Sequence, residues 1–528
     1  MELSRRTLLT GTLATTAVAA TTIPARGADP SPGAALRVSP FTLGVASGDP
    51  TPDGVVLWTR LALDPVDESG TGAMPNRPVS VRYEVASDEG MRRIVKRGNV
   101  IARPESAHSV HVELTGLRPG AEYWYRFRTG RHLSAVGRTR TAPAGHELPA
   151  ALTMAFASCS QFEHGWFTAY RRMAEENPDL VLHLGDYQYE YKAQSYIGRN
   201  GNVRDHAGPE TTDLATYRQR HGQYKSDPDL QAAHAVAPWL VVFDGHEVDN
   251  NWADEVPENT NSWEGNDTTA RFRARRAAAF QAYWENMPLR RASIPSGPDI
   301  QVFRRLQWGR LANFHMMDTR QYRDDQACGD GWKANCEPRL DPNRSITGAR
   351  QEKWLLDGFK ASKAQWDILG QQVFFAEQDR NASAAVTDVS MDGWDGYAAS
   401  RKRITQGWVS AGVRNPVVLT GDVHRHWAND LKVDYRDPDA PVVGSELVCT
   451  SITSSGNGKP GATNPNLAIN PHLKYYADQR GYVSTTIRPQ SMTADFKVLD
   501  AVTVKDRPIS TAASFELVDG QRGLRRKA

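Results

Sequence analysis

The chain has 528 residues, too many for one hydrophobic core, so two domains are expected. Hydrophobic residues make up 40% and charged residues 23%, the balance of a soluble globular protein. With 63 basic and 61 acidic side chains the net charge is +2, which excludes a global field that would recruit nucleic acid or an anionic membrane, and four cysteines exclude a disulfide framework.

The first residues read as an address. Ser4-Arg5-Arg6-Thr7-Leu8-Leu9 is a twin-arginine pattern, followed by a mildly apolar Ala/Thr-rich run from Leu8 to about Ala20. That run is too short to span a bilayer. Residues 1–28 are therefore expected to be a Tat signal peptide, cleaved between Ala20 and Ala28, with the Tat machinery as export partner and an extracytoplasmic destination. The Tat route carries folded proteins, typically those whose cofactor is inserted before export. No other segment is long and apolar enough to cross a membrane.

From Val38 to Thr141 the pattern is β. Val55-Val56-Leu57-Trp58 is a short apolar strand after the Pro52-Asp53-Gly54 turn, and Val79–Val85 and Ser109–Leu114 alternate. Leu117, the Pro119-Gly120 turn and the aromatic run Tyr123–Phe127 resemble the corner of fibronectin-type and immunoglobulin-like sandwiches. A β-sandwich over 38–142 is expected, with Ala142-Pro143-Ala144-Gly145 as linker.

The second domain, 150–515, alternates strand and helix. Leu152–Ala157 is a strand ending in Ser158-Cys159-Ser160, and Phe167–Glu176 has helical spacing. Leu180–Leu184 is a buried strand running into Gly185-Asp186, and Ala237–Phe243 runs into Asp244. A long helix spans Thr268–Met287, stopped by Pro288, and a hairpin joins Phe303–Trp308 to Leu311–Met316 around Gly309. Gln351–Lys360 is a helix, and Trp366–Gly370 and Val417–Thr420 are strands, the latter running into Gly421-Asp422. The stretch Asp249–Asp267 reads as a surface or lid loop, and Cys328 and Cys336 are close enough to close a small loop.

Loops at strand ends are where α/β proteins build sites. In Gly185-Asp186-Tyr187-Gln188-Tyr189-Glu190, Asp186 has two oxygens on a short stem and can bridge two metals, and a Tyr189 phenolate is a hard ligand suited to Fe(III). Asp244-Gly245-His246-Glu247-Val248-Asp249-Asn250-Asn251 packs carboxylate, imidazole and amide groups into one turn, costly to bury without a cation. In Gly421-Asp422-Val423-His424-Arg425-His426, Asp422 and His424 face one side of an extended turn. Cys159 is either a ligand or an apolar filler. His246 is either a proton donor to the leaving oxygen or an orienter of Glu247, and His426 either supports the site or is merely exposed. Arg320 either binds a phosphate oxygen or pairs with Asp318, and Asp392 and Asp395 bind calcium or form a turn.

Taken together, the order strand–Cys159, strand–Gly-Asp-x-x-Tyr, strand–Asp-x-His-Glu and strand–Gly-Asp-x-His resembles the calcineurin-like metallophosphoesterases, and Tyr189 resembles the tyrosinate of purple acid phosphatases. Where those enzymes carry Gly-His-x-His, this chain has Gly421-Asp422-Val423-His424, and they place an aspartate where Cys159 stands. These differences, with the Phe41–Pro50 entry and the stretches Met317–Arg323, Leu369–Val373 and Asp392–Tyr397, make nearly all of the mature chain resemble PhoD-type alkaline phosphatases.

The resemblance implies an α-β-β-α layered metallophosphoesterase domain holding one Fe(III) and one or two Ca ions. Cys159, Asp186, Tyr189 and His424 would hold the iron. Asp186 would bridge to calcium, with Asp422 and the amide of Asn250 or Asn251 on that side. Typical members have two acids before the histidine, and the second is Gly245 here, so Asp244, Asn250 and Asn251 all remain candidates. The implied reaction is attack of metal-activated hydroxide on a phosphate mono- or diester, with Asp186, Asp422 and His246 as the catalytic set. The family includes diesterases, so a secreted, metal-dependent phosphodiesterase of phospholipase D type is the alternative. A non-catalytic secreted binding protein is the second.

Overall fold

The computed structural model describes residues 36–260, 266–383 and 385–528; the expected signal peptide, 1–28, lies outside them. From Val38 to Ala528 the chain folds as one compact unit, β-rich at its N-terminal end and α/β thereafter.

The N-terminal part contributes to two sheets. Strands Ile94–Ala102, Val79–Ala86, Glu122–Thr129 and Gly137–Arg140 pair antiparallel in one. Along Glu122–Thr129, Tyr123, Tyr125 and Phe127 are buried while their neighbours are more exposed, the period-two alternation of a strand with one apolar face. The backbone N–H of Arg118 donates to the Tyr123 hydroxyl at 2.9 Å, tying the Pro-Gly corner to the strand.

The remaining strands, Val45–Thr51, Gly54–Arg60 and Ser109–Leu114, do not form a separate sheet. Val45–Thr51 pairs parallel with Pro238–Val242 of the larger domain, so these strands end a ten-stranded sheet. The physical reason is legible in Gly54–Arg60, which is buried at every position. Such a strand is covered on both faces, as interior α/β strands are. The Trp58 indole N–H then donates to the Glu285 carbonyl at 2.9 Å.

At the centre of that sheet Leu152–Ala157, Leu180–Leu184 and Pro238–Val242 run parallel, and antiparallel strands Arg480–Ile487, Ser491–Leu499 and Ile509–Val518 extend its other side. A seven-stranded second sheet contains Ala312–Met316, Trp366–Gly370, Pro416–Thr420 and Val442–Val448 in parallel. Strand alternation sorts the core. Leu180, Leu182 and Leu184 join Val417 and Leu419 in one cluster drawn from both sheets. Val181 and Val241 point the other way, to the helices Thr168–Glu175 (α1), Leu214–Lys225 (α2), Pro228–Val236 (α3) and Thr269–Asn286 (α4). Val418 meets Gly348–Ala361 (α5) and Ala398–Ala411 (α6) through Phe359, Ile404 and Trp408. The sheets therefore face each other, and their parallel strands end together at one rim.

Cys328 and Cys336 form a disulfide, closing a loop that carries the short strand Trp332–Ala334. Among the described residues no helix is long and apolar enough to cross a membrane.

Candidate metal centre

Three of the strands that end at this rim turn sharply at candidate residues. Cys159, Asp186, Asp422 and His424 all have left-handed backbone, with φ of 62°, 52°, 63° and 54°. Non-glycine residues avoid this region, and strain of this kind concentrates at functional sites. Gly185, with φ of 103°, makes the Asp186 turn possible, because a Cβ there would lie 2.4 Å from the Asp244 Cβ.

The turns bring four side chains together. The Asp186 Oδ2 oxygen lies 3.5 Å from the Cys159 Sγ and 3.3 Å from the Tyr189 hydroxyl. The Tyr189 hydroxyl is 3.2 Å from His424 Nε2. Cys159, Asp186 and His424 present ligand atoms within 4.8 Å of one another. His424 Nδ1 is 2.9 Å from the Ser455 hydroxyl, which fixes the ring and aims Nε2 at the cluster. The Ser454 hydroxyl lies 2.7 Å from Tyr189 Oη.

The electrostatics suit a cation. Burial, then the Asp186 charge, pushes both the Cys159 thiol and the Tyr189 phenol well above their ordinary values. Burial, then Asp244 and Asp392, pushes Asp422 up, and burial raises Asp244 to about 6. Burial, helped by Arg480 and Arg425, keeps His424 neutral. A bound cation reverses the shifts of the acidic groups, and neutral imidazole is the form that ligates. The donor set of thiol, phenol, carboxylate and imidazole thus fits a transition metal beside a harder ion.

The turn Asp244–Asn251 is organised by Glu247. Its carboxylate accepts the backbone N–H groups of Asp186, Tyr187 and Asp244, the first and last at 3.0 and 2.8 Å, and welds two strand ends together. The His246 N–H donates to Asp186 Oδ1 at 3.2 Å. The His246 ring does not orient Glu247; its Nδ1 is 2.8 Å from Glu190 Oε2. Burial works against its charge, but Glu190 and Asp186 outweigh it and hold His246 up at about 10.

The other candidates lie elsewhere. The Asn250 amide donates to Glu258 at 2.6 Å and the Asn251 amide to Asp330 at 2.7 Å, so neither side chain is turned toward the Cys159–Asp186 cluster. His426 is fully buried against the Val448 and Lys497 carbonyls. The Arg320 guanidinium is bonded to Asp244 at 2.6 Å and bidentately to Asp392 at 2.8 and 3.0 Å; Asp318 instead accepts the Arg320 and Gln321 backbone N–H groups. Asp395 pairs with Arg401 at 2.6 Å. Sequence reasoning missed Glu190 as the partner of His246 and the Ser454-Ser455 pair; the one signal for the latter is a small polar run after the strand Val442–Val448.

Thiol, phenol, carboxylate and imidazole gather at the shared rim in a cluster that could hold a metal ion, and the family match over residues 154–496 makes the chain a phosphoester hydrolase. Two family models match this chain: PhoD-like phosphatase over residues 154–496, and the PhoD-like phosphatase N-terminal domain over residues 27–143. The chain is 50% identical over 490 residues to alkaline phosphatase D of Bacillus subtilis (strain 168), covering 92% of this chain and 82% of that protein. The solved structure of PhoD superposes with a TM-score of 0.90 at 49% identity, over 93% of each chain. The chain belongs to the PhoD-like phosphatase family and is an enzyme acting on phosphate esters. The 50% identity to an alkaline phosphatase over 490 residues favours a catalytic chain over the non-catalytic binding protein.

Proposed function

We propose that this chain is an exported alkaline phosphatase or phosphodiesterase whose metal centre is held by Cys159, Asp186, Tyr189 and His424 as the Fe(III) side and by Asp186, Asp244 and Asp422 as the calcium side. The observation that carries the reading is the approach of the Cys159 thiol, the Tyr189 phenol and the His424 imidazole to the Asp186 carboxylate. Asn250 joins such a centre only by leaving Glu258. Around it we read an α-β-β-α layered metallophosphoesterase domain, with residues 150–515 as its extent, and an immunoglobulin-like sandwich over 38–142 that shares a sheet with it.

Bound ions there supply Lewis acidity toward water and neutralise the phosphoryl oxygens. The protein's own groups do the rest. Asp186 and Asp422 position the ions, and Ser455 and Ser454 hold the imidazole and phenol in place. His246, kept protonated by Glu190, stands beside Asp186 with a proton for the leaving oxygen. No side-chain nucleophile is required, and Ser158 supports this: its hydroxyl is 3.1 Å from the Cys159 sulfur and 3.5 Å from that of Cys449, and among the described residues it makes no hydrogen bond to an imidazole or carboxylate that could act as base. The twin-arginine segment supports export by the Tat route, and replacing Arg5 and Arg6 by lysine is expected to strand the protein in the cytoplasm.

Turnover of 4-nitrophenyl phosphate against bis(4-nitrophenyl) phosphate separates the monoester from the diester reading. Asp186→Asn should abolish turnover of both; retained activity in this variant would refute the assignment.

A further inference from the structure

Beside the metal-ligand cluster lies a cavity of about 390 Å³. Asp422 belongs to both, so the two are continuous. Four aromatic residues, Trp332, Phe374, Trp427 and Tyr476, line the cavity beside polar ones such as Gln378, Ser390 and Asn464. Trp427 stacks edge-on against Phe374 and Tyr476, with ring centroids 5.6 and 4.8 Å apart. Trp332 is brought in by the disulfide-closed loop and covered by the Arg380 guanidinium 4.7 Å from its ring. Its strand is pinned by pairing of Trp332 with Ser390.

The charge around this cavity argues against a second anion site. Its arginine, Arg425, is held by Asp478 at 2.6 Å and by the His424 carbonyl at 3.0 Å. Asp395 is likewise held, by Arg401 at 2.6 Å, which leaves aromatic rings and neutral amide and hydroxyl groups facing a space of ordinary small-molecule size. Ring faces reward a flat, neutral partner by stacking and by loss of water from apolar surface.

We propose that this cavity is the specificity pocket for the organic arm of the ester: with the phosphoryl group at the metal centre, a neutral ring on that arm lies between Trp332 and Tyr476. The inference rests on the phosphoesterase reading above. It makes the enzyme prefer esters whose arm carries an aromatic or sugar ring over those with a short alkyl arm.

The test uses two unreactive analogues sharing one phosphonate head, benzylphosphonate and methylphosphonate. Their affinities are measured by calorimetry on the metal-loaded full chain. Wild type is expected to bind benzylphosphonate roughly tenfold more tightly, and Trp332→Ala or Tyr476→Ala to reduce that ratio by roughly threefold or more. A variant that merely loosens the fold weakens both ligands together and leaves the ratio where it was. Equal affinities in wild type, or a ratio unchanged in both variants, overturns the proposal. Because binding is read directly, a chain that hydrolyses no phosphoester sinks the reading of the metal centre while the ratio still decides the pocket.

Discussion

The His246 imidazole lies face to face with the Tyr189 ring, their centroids 3.9 Å apart and their planes 28° from parallel. One member of the pair touches Asp186 through its hydroxyl and the other through its backbone N–H. A candidate metal ligand and a candidate proton donor are therefore held as one stacked unit, with Glu190 behind the imidazole.

If His246 delivers the proton to the leaving oxygen, its importance depends on how badly that oxygen needs one. His246→Asn should slow hydrolysis of an alkyl phosphate by roughly 10²-fold or more, the range of general acid catalysis. The loss on 4-nitrophenyl phosphate should be about tenfold or less, because nitrophenolate leaves without a proton. Steady-state kinetics on the two substrates check this, and equal losses on both would remove His246 from that role.

Arg320 is 1% exposed and is shared between Asp244 and Asp392. Removing it leaves the buried Asp244 carboxylate without its cation, while Asp392 keeps only Arg323 at 3.1 Å, so Arg320→Ala should cost about 3–5 kcal/mol of stability. Arg320→Lys should recover little, because an ammonium cannot span both acids and keep the bidentate contact. Chemical denaturation of the two variants measures this; a stable Arg320→Ala variant with weakened phosphate binding would instead make Arg320 a substrate ligand.

Lys225 is buried on α2 with His234 Nε2 at 3.0 Å and the rings of Trp58 and Tyr187 around it, and burial holds its amine well below the ordinary lysine value. Below about 10.4 the unfolded chain binds the proton that the folded chain resists, so stability rises with pH toward that value and falls as pH drops. Lys225→Met lacks this linkage. It should be more stable than wild type at pH 7, with an advantage that shrinks toward pH 10, by at most about 1.4 kcal/mol per pH unit. Denaturation at several pH values reads the difference; an advantage independent of pH would contradict the burial of the amine.

Much of the site was legible in the sequence because its logic is local. An apolar run followed by Gly-Asp announces a strand end carrying a carboxylate, and Asp186 and Asp422 stand at such places. What was not legible depends on distant pairing. Nothing near Glu190 announces that its carboxylate will meet His246, 56 residues away. Within the Asp244–Asn251 turn, spacing alone cannot say which side chain points where, and the Asn250 amide turns to Glu258. A side chain at Gly245 would bring its Cβ 3.0 Å from the Asn251 nitrogen, so this turn is closed tightly around that glycine. In the fold, α4 announced itself by its apolar spacing and the stop at Pro288, whereas α2 buries polar residues such as Arg220, His221 and Lys225 and offers no apolar stripe. The sharing of a sheet between Val45–Thr51 and Pro238–Val242 is a long-range pairing that no local pattern encodes.

The most direct measurement of the central claim is the metal content and visible spectrum of the purified, unreduced protein beside its Tyr189→Phe variant. The account predicts iron and calcium in the wild type, with an absorption band from phenolate bound to iron that disappears in the variant. A fully active wild-type enzyme with neither iron nor a visible band would contradict it.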